Sequence, residues 1–194
     1  MALSKQAKVL TKPQVKAVLG YLKEKRHAER NVAMFLLSVK AGLRAKEIAE
    51  LKWLYVLNSD GTLSDSIHLP NKASKGKSSG RIVPMSSDLK QALQELWSEG
   101  VDSSSSVIVS QKGGTMTSQV VINFFQKLYA EMGIVGASSH SGRRTAITAW
   151  ARGVSTVGGS LRDVQALAGH SSIATTERYI EQNAEAKKKL VELL

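Results

Sequence analysis

The sequence predicts a mainly α-helical domain that carries a small three-stranded antiparallel β-sheet. Apolar side chains recur at helical intervals along most of the chain. Three short segments between residues 53 and 85 instead combine β-branched or aromatic residues with flanking turn residues, which is typical of strands. The 194 residues suffice for one domain with a sizeable core, and we find no internal repeat and no obvious linker. We therefore expect a single domain over residues 1–194.

Three helices are predicted before the sheet. Thr11 and Gln14 have the spacing of a capping box, and apolar residues follow at helical intervals. The apolar stretch Val32 to Val39 indicates a second helix that stops near Gly42, a residue type common at helix ends. A short third helix is expected from about Arg44 to Leu51.

The sheet is expected to consist of Trp53 to Leu57, Ser66 to Leu69 and Arg81 to Met85. Turn residues at Asn58 to Gly61 separate the first two strands. A loop rich in Lys, Ser and Gly, Asn71 to Gly80, separates the second from the third. The third strand would close the sheet in an antiparallel arrangement.

Helices are predicted for the remainder of the chain. Ser87 has the side chain to cap a helix through Trp97, and Ser118 to cap one that runs to about Met132. Between two later helices, the Gly-rich stretch Gly153–Ser160 is predicted to be a flexible loop. The remaining predicted helices are Ser141–Arg152, Leu161–Leu167, Ile173–Ile180 and Ala184–Leu194.

The charge balance indicates an anionic partner. The chain has 27 Lys and Arg against 16 Asp and Glu, a formal net charge of +11. Nucleic acid is the usual partner of such a protein, because Lys and Arg displace condensed counterions from phosphates. The sequence has neither a long uninterrupted apolar stretch nor a signal-peptide pattern, so we expect no membrane partner. Without cysteine, disulfides and thiolate metal sites are excluded, and a cytoplasmic location fits best.

Four local patterns occur in an informative order. They are AGLRAKEI from Ala41 to Ile48, the basic loop from Lys72 to Pro84, HSGRRT from His140 to Thr145, and AGHSSIATTERY from Ala168 to Tyr179. Together they resemble the tyrosine recombinase (phage integrase) family. Its members have Gly-Leu-Arg with an acidic residue three further on, a lysine on a turn of a small sheet, and His-x-x-Arg. They end with Gly-His and a tyrosine nine residues after that histidine, the spacing found here.

The resemblance covers about Thr11 to Tyr179 and implies the catalytic fold of DNA breaking and rejoining enzymes. It implies that Tyr179 attacks a phosphodiester and forms a covalent 3′-phosphotyrosine intermediate. A free phenol has a pKa of about 10, so this nucleophile needs a base and an electropositive site. The phosphotyrosine bond retains the energy of the phosphodiester, so rejoining needs no ATP. We expect no cofactor and no metal.

Two arginines are the expected phosphate clamp. Charge gathers on the non-bridging oxygens during transfer, and guanidinium groups can hold those oxygens while staying charged. Arg44 and Arg143 match the family pattern for this role. Glu47 follows Arg44 by one helical turn and is expected either to orient it or to form a plain surface salt bridge.

Two histidines and a lysine are the expected proton-transfer groups. By resemblance, His140 assists the tyrosine and His170 contacts the scissile phosphate; both are also suited to ordinary structural hydrogen bonding. A lysine is expected to protonate the departing 5′ oxygen, and the family position falls between Lys75 and Lys77, counted back from Pro84. We take Lys75 as the general acid, with Lys72 and Lys77 of the same loop as the alternatives. The residues expected to contact the DNA backbone are Lys72, Lys77, Arg81 and Arg144.

The chain departs from its relatives beside the second arginine and at the N-terminus, and two interpretations of its C-terminal tail stay open. Gly142 stands where they usually have leucine, and we expect it at a helix start because glycine is a poor helix former. Relatives also carry a separate helical domain ahead of the catalytic one, so this chain is either a fragment or a minimal member. The tail Ala184–Leu194 either docks on a neighbouring protomer, as in the tetramers that relatives form on DNA, or folds back on its own core.

Two other functions are compatible with the same surface. One is a non-catalytic DNA-binding or regulatory protein with an integrase-like fold. The other is a nicking and closing enzyme like the type IB topoisomerases, which share this chemistry. The full set of reactive residues favours an enzyme on double-stranded DNA, because a pure binding protein has no need of a nucleophile and proton-transfer groups.

Overall fold

The computed structural model describes residues 6–70 and 80–180. The helices are α1 (Lys12–Lys23), α2 (Ala28–Val39), α3 (Ala45–Ala49), α4 (Ser87–Leu96), α5 (Ser118–Glu131), α6 (Ser141–Gly153), α7 (Leu161–Ala168) and α8 (Ile173–Glu177). The strands are β1 (Ser66–Leu69) and β2 (Arg81–Pro84), and 3₁₀ turns cover Trp53–Tyr55 and Val154–Val157. The second 3₁₀ turn lies in the stretch predicted as a flexible loop. The predicted terminal helix Ala184–Leu194 lies outside the described residues.

Side-chain caps start three of these helices. The capping box at Thr11 is confirmed, since its hydroxyl accepts from the Gln14 N–H at 3.3 Å and its own N–H donates to the Gln14 side chain at 3.0 Å. For α4 and α5 the predicted caps were each wrong by one residue. Ser86 and Thr117 have the extended backbone that a capping residue needs, whereas the serines that follow them are already helical.

The sheet has two strands among the described residues, so the predicted strand from Trp53 to Leu57 was wrong. Strands β1 and β2 pair antiparallel, with Ile67 opposite Val83. The segment predicted as a strand turns at Trp53, because its two ends pair with different parts of the chain. The Trp53 N–H donates to the Ser105 carbonyl at 3.1 Å, while Leu57 bridges to Leu63. Burial against Trp97, at 4.8 Å between ring centroids, accounts for the apolar content that suggested a strand.

Helix α2 forms the centre of the main core and packs against α1, α4 and α6. Every residue from Asn31 to Val39 is buried, which explains its nearly continuous apolar sequence. A second, smaller core joins α6 to α7 and consists of Ile147, Ala151, Val164 and Ala168, with Tyr179 packed against it. No helix in the described ranges is both long and apolar enough to cross a membrane.

Helices α2 and α6 cross closely at Ser38 and Gly142. A Cβ on Gly142 would lie only 2.3 Å from the Ser38 hydroxyl and 2.9 Å from its Cβ, so only glycine fits between the two backbones. Gly142 is the second residue of α6, as expected for a residue at a helix start. The crossing sets the start of α6, including Arg143, against the turn that follows α2.

Gly142→Ala should therefore lower the free energy of unfolding by about 1–3 kcal/mol, the usual cost of overpacking a tight contact. Gly20→Ala is the matched control: it lies in α1 with nothing within 4 Å of its added Cβ, so it should stabilise by about 0.5–1 kcal/mol. Urea unfolding of both variants measures the difference. Equal stabilisation by both substitutions would show that the α2–α6 crossing can accommodate a Cβ at residue 142.

Candidate active site

The Arg143 side chain lies at the centre of the site. It is 5% exposed. Its two terminal nitrogens donate to the carbonyls of Gly42 at 2.5 Å and Ala168 at 2.6 Å. Both acceptors stand beside tight turns made by Gly42 and Gly169, whose φ angles of 63° and 61° favour glycine. Arg143 thus joins the turn that leads into α3 to the turn that follows α7.

Arg44 lies immediately before α3 and pairs with Glu47 in the first turn of that helix. The Arg44 backbone N–H donates to Oε2 of Glu47 at 2.7 Å, and its Nη1 donates to Oε1 at 2.9 Å. With 42% of its side chain exposed, Arg44 remains open to a ligand, whereas Glu47 is 22% exposed. Glu47 therefore orients Arg44 from a sheltered position and is more than a plain surface ion pair.

Arg81 binds the same carboxylate from strand β2. Its two terminal nitrogens donate to the two oxygens of Glu47, both at 2.8 Å, and its side chain is 13% exposed. The expectation of a free arginine on the DNA backbone therefore does not match its surroundings. Burial raises the pKa of Glu47, but hydrogen bonds and charges from Arg81 and Arg44 outweigh that and hold the pKa below its ordinary value.

His170 follows the α7 turn and is held between Thr176 and Tyr179. Its Nδ1 lies 3.0 Å from the hydroxyl of Thr176, which is fully buried. Its ring stacks on that of Tyr179 with 5.6 Å between centroids. The Thr176 hydrogen bond engages Nδ1 and leaves Nε2 to face a ligand.

Tyr179 lies near Arg143 as well as His170. The phenolate charge of Tyr179 is close enough to Arg143 to raise the pKa of that guanidinium. Burial and the charges of Arg44 and Arg81 act in the opposite direction and more strongly, and the pKa of Arg143 falls to about 10. Arg143 is therefore still protonated at neutral pH.

The same crowding keeps His170 neutral. Burial, followed by the charges of Arg143, Arg44 and Arg81, lowers its pKa to about 4. Three guanidinium groups thus surround one carboxylate and one uncharged imidazole. A net positive site of this kind is built to take an anion.

The remaining predicted residues lie beside this cluster or outside the described residues. His140 is exposed and immediately precedes α6, three residues before Arg143. Arg144 is half-buried. Its Nε is enclosed without a hydrogen-bond partner among the described residues. The predicted lysines lie in the undescribed segment between β1 and β2: Lys72, Lys75 and Lys77.

Sequence reasoning missed the roles of Arg81 and Thr176. Arg81 is 34 residues from Glu47, and nothing in either local sequence predicts that they pair. Thr176 lies inside the motif that ends at Tyr179, six residues after His170. Its closeness in sequence to His170 and Tyr179 was the one signal available, and closeness in sequence does not reveal a hydrogen bond.

Comparison with known proteins identifies what this arrangement resembles. The profile of the phage integrase family matches residues 8–186. The chain is 25% identical over 174 residues to tyrosine recombinase XerC of Bifidobacterium longum (strain DJO10A), covering 83% of this chain and 46% of that protein. It is 30% identical over 156 residues to XerC of Rhizobium meliloti (strain 1021), covering 78% of this chain and 45% of that protein. The chain thus spans about half the length of these relatives.

Solved structures show the same fold. The Tn1549 transposon integrase in complex with transposon right end DNA superposes with a TM-score of 0.74 at 18% identity, over 98% of this chain and 66% of that one. XerH site-specific recombinase bound to difH superposes with a TM-score of 0.73 at 17% identity, over 100% of this chain and 56% of that one. The expected mainly helical catalytic fold is confirmed, with the two-stranded sheet described above.

An NMR titration of His170 tests the charge of the site. Its imidazole should titrate near pH 4 in the absence of anions, and inorganic phosphate should raise that pKa because it offsets the guanidinium charges. Since the folded pKa lies below the unfolded value of about 6.5, His170 contributes stability above that value, lost as the pH falls toward 4.

The resonances of His68, on the exposed face of β1, serve as the internal control and should not respond to phosphate. A His170 that titrates at its ordinary value, or one that ignores phosphate, would contradict the electropositive site.

Proposed function

Because this chain belongs to the phage integrase family, we propose that it cleaves and rejoins double-stranded DNA as a site-specific recombinase, with Tyr179 as the nucleophile. The observation that carries the proposal is the grouping of Tyr179, His170 and the buried Arg143 around one net positive site. A phosphodiester is the anion that these groups suit. It carries one negative charge and two non-bridging oxygens that can accept several hydrogen bonds.

The arginines hold the scissile phosphate. Each terminal nitrogen of Arg143 has a second N–H beyond the one given to a backbone carbonyl, and the Arg44 side chain is 42% exposed. In the transition state these donors stabilise the charge on the non-bridging oxygens. Because the groups are already in place, little reorganisation accompanies the reaction.

His170 adds a neutral donor. When the Thr176 hydroxyl donates to Nδ1, the imidazole proton resides on Nε2, from which it can be donated to a phosphate oxygen. The depressed pKa of His170 keeps it in this uncharged form, and the stacking on Tyr179 holds nucleophile and donor side by side.

Proton transfer belongs to His140 and one lysine of the β1–β2 segment. His140 accepts the phenol proton as Tyr179 attacks phosphorus, and the lysine donates a proton to the 5′ oxygen as its bond to phosphorus breaks. We assign Lys75 as that acid. Rejoining reverses both transfers, as the 5′ hydroxyl attacks the phosphotyrosine and releases the phenol.

DNA is the proposed partner, and its backbone contacts are assigned to Arg144, Lys72 and Lys77. The net charge of +11 supports this assignment. We propose that assembly into a tetramer on DNA, through residues 184–194, completes the recombinase.

Covalent trapping tests the nucleophile. Duplexes of randomised sequence carrying a bridging 5′ sulfur in place of oxygen should yield a protein–DNA adduct on a denaturing gel, because a thiolate leaves easily and rejoins poorly. Tyr179→Phe removes only the hydroxyl and should abolish the adduct, whereas Tyr129→Phe, buried in the main core, should retain it. An adduct that persists in Tyr179→Phe would show that another residue attacks phosphorus.

The same substrates identify the general acid. Lys75→Ala should cleave ordinary duplexes at least about 100-fold more slowly than the wild type, the usual contribution of an acid catalyst. The sulfur duplexes should restore its rate, because a thiolate needs no proton to depart. Lys72→Ala and Lys77→Ala should weaken DNA binding without this rescue. Rescue of one of those variants in place of Lys75→Ala would move the assignment to that residue.

A further inference from the structure

Arg81 is a partly buried arginine in the site that the reaction described above does not use. It begins strand β2, and both of its terminal nitrogens are committed to Glu47 at 2.8 Å. Its Nε is enclosed and has no hydrogen-bond partner among the described residues. With its side chain 13% exposed, it offers a ligand few free donors.

The carboxylate of Glu47 is saturated because Arg81 is present. Oε1 accepts from Nη1 of Arg44 and Nη1 of Arg81, and Oε2 accepts from the backbone of Arg44 and Nη2 of Arg81. Arg44 therefore gives only one terminal nitrogen to Glu47. Its remaining guanidinium donors are left for a ligand on its exposed side.

Loss of Arg81 would change which donors bind the Glu47 carboxylate. Each oxygen of Glu47 would lose one donor, and the half-exposed Arg44 is the nearest guanidinium able to replace it. A carboxylate and a guanidinium group favour bidentate pairing through two hydrogen bonds. Arg44 would therefore turn toward Glu47 and away from a phosphate. Arg81 thus competes with Arg44 for the carboxylate and keeps Arg44 available.

Arg81 also supports the turn that carries His170. A Cβ on Gly169 would lie 2.7 Å from Nη1 of Arg81 and 3.0 Å from its Cδ, so the guanidinium packs directly against this turn. One side chain therefore contacts both halves of the site: the α3 side through Glu47 and the α7 side through Gly169.

We propose that Arg81 is a positioning residue for the DNA cleavage proposed above, acting by saturating Glu47 so that Arg44 can bind the scissile phosphate. This inference rests on the proposed function. Arg81 itself does not touch the reacting phosphate, and its effect passes through Glu47 to Arg44.

A double-mutant cycle that removes the charges of Arg81 and Glu47 tests the proposal. Arg81→Met should slow adduct formation by about 10- to 100-fold, because Arg44 is drawn away from the phosphate. Adding Glu47→Gln to Arg81→Met should recover much of that loss, since a neutral amide holds Arg44 weakly while still accepting its backbone N–H. A merely structural role for Arg81 predicts no such recovery, and a double variant as slow as Arg81→Met, or slower, would overturn the proposal.

Two controls accompany the cycle. Arg30→Met removes another half-buried arginine, which lies in the first turn of α2 and is held by Asn31 and the Val109 carbonyl, and should leave the rate unchanged. If Arg81→Met does not fold, Arg81→Lys takes its place in the same cycle, since lysine keeps the charge but cannot pair with both oxygens.

Binding of inorganic phosphate separates this inference from the proposed function. The affinity for phosphate, measured from the shift of the Arg44 side-chain N–H resonances, should fall about 10-fold in Arg81→Met and recover on adding Glu47→Gln. If the wild type forms no covalent adduct, the recombinase proposal fails while this result still supports the role of Arg81. If phosphate affects Arg44 equally in all variants, the positioning role fails even when the adduct forms.

Discussion

The rest of the site depends on the burial of one guanidinium group. Arg143 enters the interior from α6 and is satisfied by two backbone carbonyls, those of Gly42 and Ala168. A buried charge needs such partners, since an unpaired one costs several kcal/mol or more. Because the two carbonyls belong to separate turns, satisfying Arg143 also fixes the position of Arg44 after one turn and His170 after the other. The hydrogen bonds that satisfy Arg143 in the interior thus also determine where the reactive groups lie.

The electrostatic balance of the site follows from this arrangement. Arg44, Arg81 and Arg143 lie around a single carboxylate, Glu47. Burial, followed by repulsion from the neighbouring guanidinium charges, lowers the pKa of both Arg143 and His170. Glu47 offsets part of the repulsion, and the remainder is left for an anion to neutralise. Preorganised charge of this kind destabilises the empty site and favours a bound anion; fixed dipoles and charges accelerate transfer reactions in the same way. Neutral His170 fits the same logic, since it donates a hydrogen bond without adding repulsion.

Local sequence predicted the features that depend on neighbouring residues. The Thr11 capping box and the glycine turn at Gly42 are determined within a few positions, and the structure has both. The assumed strand at Trp53 was wrong because its geometry depends on Ser105 and Trp97, both distant in sequence, and on the pairing of Leu57 with Leu63 across the next turn. The site shows the same division. The motif spacing indicated Arg44, Arg143, His170 and Tyr179, whereas the pairing of Arg81 with Glu47 joins residues 34 positions apart and arises only in the folded chain, so no local pattern encodes it.

A crystal structure of the Tyr179→Phe chain bound to a duplex that the wild type cleaves tests the central claim most directly. One phosphate should lie with its non-bridging oxygens about 3 Å from guanidinium nitrogens of both Arg44 and Arg143, and the edge of the substituted ring should face phosphorus. Duplex bound elsewhere on the basic surface, with no phosphate against Arg143, would contradict the account.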